Sequence, residues 1–120
     1  MTQPALVAVV DDDEDVRESL EMLVLSVGHE AVLFETADAL LASPLLDEFR
    51  CVISDVQMPG TNGIQLAREI RSRTAVPVIL ITAFPADEIE RRARDAGVHQ
   101  FLSKPFDPNA LIDELVSLLG

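Results

Sequence analysis

Ala5-Leu6-Val7-Ala8-Val9-Val10, followed at once by Asp11-Asp12-Asp13, is the stretch on which the fold turns. Its apolar residues run on without the polar alternation that a half-solvated strand would show. A continuous, β-branched-rich run of this length reads as a strand buried on both faces, the habit of the central strands of parallel sheets. After the carboxylates the period changes. Val16, Leu20, Leu23 and Val27 fall on one helical stripe between about Glu14 and Val27, and Gly28 is a plausible terminator. Strand, acids, helix: the pattern is a βα unit with its charges at the carboxyl end of the strand.

Working outward, the same alternation recurs. Ala31 to Phe34 reads as a second strand, and Thr36 can cap a helix through about Leu46, with Pro44 disturbing its end. Cys51 to Ser54 is a third strand, broken by Met58-Pro59-Gly60 and Asn62-Gly63, and Ile64 to Arg71 a helix. Val76 to Ile81 is a fourth strand, with Pro77 near its start, where a missing donor does least harm. Pro85 suits the first turn of a helix that runs to about Ala96 and stops at Gly97. Val98 to Leu102 is a fifth strand, and about Pro108 to Leu119 an amphipathic helix using Leu111, Ile112, Leu115, Leu118 and Leu119.

Five βα units predict an α/β fold, a doubly wound parallel sheet with helices on both faces. The 120 residues, without repeat or internal linker, are expected to form one domain over 1–120. Hydrophobic residues make up 48% of the chain and aromatics only 4%, so an aliphatic core is expected. The net charge of −12 repels phosphate backbones and argues against direct nucleic-acid binding. No apolar run approaches the roughly 20 residues of a membrane span. Met1-Thr2-Gln3-Pro4 lacks a secretory start, and the single Cys51 fits a reducing compartment, so a cytoplasmic location is expected.

Doubly wound sheets place their sites at the carboxyl ends of the strands. There the chain puts Asp11 and Asp12 (Asp13 behind them, a natural cap for the first helix), then Asp55, Thr82 and Lys104. Clustered carboxylates cannot all stay ionised without a compensating charge. Oxygen donors with no Cys or His among them point to a hard cation, most naturally Mg²⁺, rather than zinc. Carboxylates, one cation, one Lys and one Thr suit phosphoryl transfer, whose transition state spreads negative charge over three oxygens. A carboxylate would then be the nucleophile, forming an aspartyl phosphate.

Four segments together resemble the response-regulator receiver family of two-component signalling: Val9 to Asp13, Ser54 to Gly63, Ile81-Thr82-Ala83, and Phe101 to Phe106. The resemblance runs from about Leu6 to Leu119. It implies a flavodoxin-like (βα)5 fold with strand order 2-1-3-4-5. It implies that Asp55 is the phosphoacceptor and that Asp12, Asp55 and the Gln57 backbone carbonyl bind Mg²⁺ directly, with Asp11 acting mainly through water. Lys104 should pair with Asp55 before phosphorylation, and the Lys104–Pro105 bond should be cis.

The resemblance also implies a switch. The Thr82 hydroxyl would move toward the phosphoryl group and Phe101, otherwise an ordinary core aromatic, would rotate inward. That would repack the face of helix four, strand five and helix five and change its partner or homodimer state. Gln57 and Phe84 stand where similar proteins screen the phosphoryl group from water, so slow self-dephosphorylation is expected. The donor would be a histidine kinase or phosphotransfer protein, recognised through Val16, Ser19, Leu20, Met22 and Pro105. His29 and His99 read as surface or loop residues. The output is open between the regulatory domain of a transcriptional regulator and a stand-alone receiver or phosphorelay protein. A phosphoacceptor of this kind is not a turnover enzyme. The contrasting reading, a Mg²⁺-dependent phosphohydrolase with an Asp nucleophile, expects a second acid two residues after Asp55; Gln57 stands there.

Overall fold

The computed structural model describes residues 3–120; Met1 and Thr2, part of the start read above as lacking a secretory signal, lie outside them. The chain alternates β1 (Leu6–Val10), α1 (Glu14–Ser26), β2 (Glu30–Phe34), α2 (Ala37–Leu41), β3 (Phe49–Asp55), α3 (Gly63–Arg73), β4 (Val78–Thr82), α4 (Asp87–Asp95), β5 (Gln100–Ser103) and α5 (Pro108–Leu119). All strand pairs are parallel, in the order β2-β1-β3-β4-β5. The doubly wound sheet expected from the sequence is therefore present.

Side chains alternate across a strand, so each run read as continuously apolar feeds two cores. Ala8, Val10, Val52, Val78 and Leu80 pack on one face with Leu40, Leu66, Ile70 and Ala93 from α2, α3 and α4. Val7, Val9, Cys51, Ile53, Ile79 and Ile81 pack on the other with Leu20, Val24, Leu111 and Leu115 from α1 and α5. Burial pushes the Cys51 thiol up to about 12, so it stays protonated as a core residue.

Several boundaries differ from the sequence reading. Helix two was expected to reach Leu46, but α2 stops at Leu41 and a 3-10 turn follows at Leu46–Glu48. Pro44, between the two pieces, cannot donate the helical hydrogen bond. Strand three starts two residues early because Phe49 pairs with Leu6 across an irregularity between Leu6 and Val7. Strand five covers Gln100–Ser103 rather than Val98–Leu102, the span in register with β4. His29 is not a surface residue: it is buried, and its Nδ1 accepts the Ala5 N–H at 2.9 Å. His99 is exposed and meets Glu114 at 2.9 Å. Among the described residues no helix is long and apolar enough to cross a membrane.

Candidate functional site

Three strand ends converge on one acidic cluster. The β1 end delivers Asp11 and Asp12, and the central β3 delivers Asp55; one carboxylate oxygen from each lies within 4.8 Å of the others. Asp13 turns away, its side chain capping α1 on the Asp15 and Val16 N–H groups. Lys104, just past β5, sits between two of the acids, its Nζ 3.7 Å from Asp11 Oδ2 and 3.9 Å from Asp55 Oδ2. Its peptide bond to Pro105 is cis.

Burial dominates the electrostatics. It pushes the Asp55 carboxyl above its ordinary range, with Lys104 opposing. It pushes Asp11 the same way, and the neighbouring Asp55 charge adds to the shift. Asp55 Oδ1 is buried and has no hydrogen-bond partner. An orphaned carboxylate oxygen among other carboxylates costs free energy in a native fold unless something positive joins it. The all-oxygen donor set fits a hard divalent cation, with water completing the coordination.

Thr82 ends β4 fully buried, and its hydroxyl is committed on both sides. It donates to Gln57 Oε1 at 2.7 Å and accepts the Phe84 N–H at 3.1 Å. A hydroxyl has one proton to give. The Thr82 proton is therefore held by Gln57, two residues beyond Asp55.

The response regulator receiver domain family matches residues 7–116. The chain belongs to that family. Among curated relatives, response regulator protein FleR of Pseudomonas aeruginosa is 42% identical over 110 residues, covering 91% of this chain and 23% of FleR. Nodulation protein W of Bradyrhizobium diazoefficiens is 39% identical over 114 residues, 94% of this chain and 50% of that protein. The chain thus spans half or less of the length of these two relatives. Among solved structures, the BeF3-activated receiver domain of DrrB, a Thermotoga maritima protein, superposes with a TM-score of 0.88 at 28% identity, covering 98% of both chains.

The receiver brings together Asp11, Asp12, Asp55, Gln57, Thr82 and Lys104, the strand-end set read from the sequence with its neighbour Gln57. It does not bring Phe101 there. That ring lies half-buried on β5 against the α2–α3–α4 core. The Phe84 side chain is 72% exposed, and only its backbone N–H reaches the Thr82 hydroxyl. Leu20, named as a recognition residue on α1, is a core side chain with 4% exposure.

Sequence reading missed four supporting groups. Arg17 Nη1 donates to the Asp11 carbonyl at 2.6 Å and braces the end of β1. Ser54, fully buried, donates to the Asp55 carbonyl at 2.9 Å. Thr61 donates to Asp38 at 2.8 Å, tying the loop after β3 to α2. Gly63 opens α3 directly against Asp55, where a Cβ would overlap the Asp55 carbonyl. Ser54, Thr61 and Gly63 lie within the segment that carries the family resemblance, but only the Asn62-Gly63 pair left a structural trace of its own, as a break after strand three. Asn62 builds a capping box with Gln65 there.

Proposed function

We propose that Asp55 is the phosphoacceptor of this receiver, taking a phosphoryl group from a histidine kinase or phosphotransfer protein. The observation that carries the reading is the convergence of Asp11, Asp12 and Asp55 within 4.8 Å, with Lys104 against two of them. Asp11, Asp12, Asp55 and the Gln57 carbonyl would hold a divalent cation, Mg²⁺ by its preference for oxygen donors. When bound, the cation neutralises charge on the acids and on the incoming phosphoryl oxygens.

The residues of the chain do the rest. One Asp55 carboxylate oxygen forms a bond to phosphorus as the P–N bond of the donor phosphohistidine breaks and its electron pair returns to the imidazole. Lys104 stands beside the same carboxylate, placed to pair with a phosphoryl oxygen as negative charge builds. The Thr82 hydroxyl can donate to another oxygen once it leaves Gln57.

An apolar groove of about 330 Å³ beside the site, lined by Val16, Ser19, Leu20, Leu23 and Phe106 with Lys104 at its edge, supports docking of the phosphodonor. Leu20 contributes to its floor rather than to an exposed rim. We further propose that residues 1–120 act as one unit, that Phe101 and the α4–β5–α5 face respond to phosphorylation, and that the protein works in the cytoplasm. The match to a longer transcriptional regulator, FixJ of Bradyrhizobium diazoefficiens, 37% identical and spanned to 55% of its length by this chain, favours an output through a transcriptional regulator over a stand-alone receiver or phosphorelay protein.

Incubation with acetyl phosphate and Mg²⁺ followed by intact mass spectrometry tests the central claim. One added phosphoryl group, absent from Asp55→Asn and absent with EDTA, is the expected result. Continued labelling of Asp55→Asn at the wild-type level would refute it.

A further inference from the structure

Positive charge in this acidic chain is segregated. Six of its nine Lys and Arg residues lie on two adjacent helices: Arg68, Arg71 and Arg73 on α3, and Arg91, Arg92 and Arg94 on α4. Three are neutralised within their own helices, by the pairs Arg73–Glu69 at 3.3 Å, Arg91–Glu88 at 3.9 Å and Arg94–Glu90 at 2.7 Å. Arg68 and Arg92 have no carboxylate partner among the described residues, though the chain carries 21 acids. Both line one groove of about 580 Å³ between α3, α4 and the loop after β3. No acid lines it, and Met58, Ile64 and Ile89 give it apolar surface.

We propose that this groove docks an acidic, amphipathic segment of a partner protein. Two unpaired guanidinium groups match carboxylates in fork geometry, and the apolar residues lining the same groove match a Leu- or Phe-sized side chain. A nucleic acid fits less well, because the net charge of −12 opposes a continuous polyphosphate more strongly than a short acidic segment and the apolar floor would go unused. The acids of α1 in a second copy of this chain, Glu14, Asp15, Glu18 and Glu21, are the rival occupant, and the test separates the two.

The groove also borders the site. Gln57 lines it and holds the Thr82 proton, so a phosphoryl group that draws Thr82 away frees the Gln57 side chain and alters the groove wall. This coupling rests on the Asp55 reading; the docking itself does not.

The probe is a fluorescein-labelled synthetic helix of Glu and Leu, with a Gln-and-Leu counterpart, titrated into the whole protein by fluorescence anisotropy at low salt. The acidic peptide should bind about tenfold more tightly than its neutral counterpart, and Arg68→Glu/Arg92→Glu should cost about tenfold or more. Arg50→Glu, a basic residue off this surface, should change affinity less than about twofold. If the reversed pair fails to fold, Arg68→Gln/Arg92→Gln should show the same loss. Amide shifts should cluster on α3, α4 and residues 56–59. Insensitivity to these substitutions, or shifts elsewhere, overturns the proposal. So does tighter binding to a DNA duplex, or self-association that the double variant abolishes without any peptide binding.

Coupling is read separately. Beryllofluoride with Mg²⁺ should change peptide affinity about threefold or more in wild type and not in Gln57→Ala. Binding indifferent to beryllofluoride in a protein whose Asp55 signals do respond overturns the coupling. Absence of any response at Asp55 instead overturns the Asp55 reading, while peptide binding measured without beryllofluoride still decides the docking.

Discussion

The two ends of the β-sheet bury polar groups of different charge. At the amino end His29 accepts the Ala5 N–H at 2.9 Å, its Nε2 left without a partner, and Glu30 N–H reaches the Ala5 carbonyl at 3.0 Å, tying the start of β1 to the start of β2. At the carboxyl end Asp11 and Asp55 lie together, burial raises both, and Asp55 Oδ1 has no partner. The first arrangement ties one strand to the next; the second gathers carboxylate charge that the Lys104 ammonium offsets only in part. In one sheet, this difference separates a structural polar contact from the site proposed above for the cation and the phosphoryl group.

Removing the charge at the carboxyl end should have the largest effect and should cut in two directions. Asp55→Asn should lose acetyl-phosphate labelling completely, yet be more stable than wild type when both are metal-free at neutral pH. The sign follows from proton linkage. A carboxyl whose folded pKa lies above its ordinary value of 3.8 favours folding when protonated. That stability is present at acid pH and is lost as pH rises through the raised folded value. Urea midpoints of the two proteins should therefore diverge as pH rises from about 4 toward 7, and converge when Mg²⁺ stabilises wild type by mass action. A wild type more stable than Asp55→Asn in EDTA at pH 7 would break the contrast.

Next in size is Gly63→Ala. The added Cβ meets the Asp55 carbonyl and the Val56 Cα, backbone atoms that cannot rotate away. Overpacking of this kind costs up to about 3 kcal/mol. Because the displaced atoms carry Asp55, labelling should slow more than the loss of folded protein explains. Denaturant melts beside initial labelling rates measure both.

His29→Ala is the counterpart at the other end. It leaves the buried Ala5 N–H without its acceptor, a loss of about 1–2 kcal/mol. Labelling of the folded protein should stay at the wild-type rate. A matching drop in rate would show that the two ends are not independent.

These contrasts also mark what the sequence could and could not show. The strands were legible because β1, β3 and β4 are buried on both faces and appear as apolar runs, and the strand-end acids stand out against them. Segments where that contrast fades were misjudged: β5, an edge strand paired with β4 alone, and the piece after Leu41 where Pro44 interrupts the helix. The burial of His29 left no trace, since its partner is a backbone N–H 24 residues away. The strand-end acids, Thr82 and Lys104 were visible, as was the pairing of Lys104 with Asp55, but the bond between Thr82 and Gln57 was not. That Gln57 takes the Thr82 proton depends on where the end of β4 meets the loop after β3 in space.

That bond gives the subtlest test. Methionine matches glutamine in length but offers no comparable acceptor, so Gln57→Met leaves the Thr82 hydroxyl bound only to the Phe84 N–H. A neutral hydrogen bond contributes about 0.5–1.5 kcal/mol, or about 2- to 10-fold in an equilibrium. Wild type must forfeit it before Thr82 can donate to a phosphoryl oxygen, whereas the variant need not. Beryllofluoride affinity, followed by amide signals of Thr82 and its neighbours, should therefore rise by that factor in Gln57→Met. Adding Thr82→Ala to both wild type and Gln57→Met should remove the difference between them, because no proton is left to compete for. An unchanged affinity in Gln57→Met, with Thr82 signals already matching the bound state, would mean that Gln57 exerts no hold on the site. The carboxyl end would then owe its readiness to charge alone.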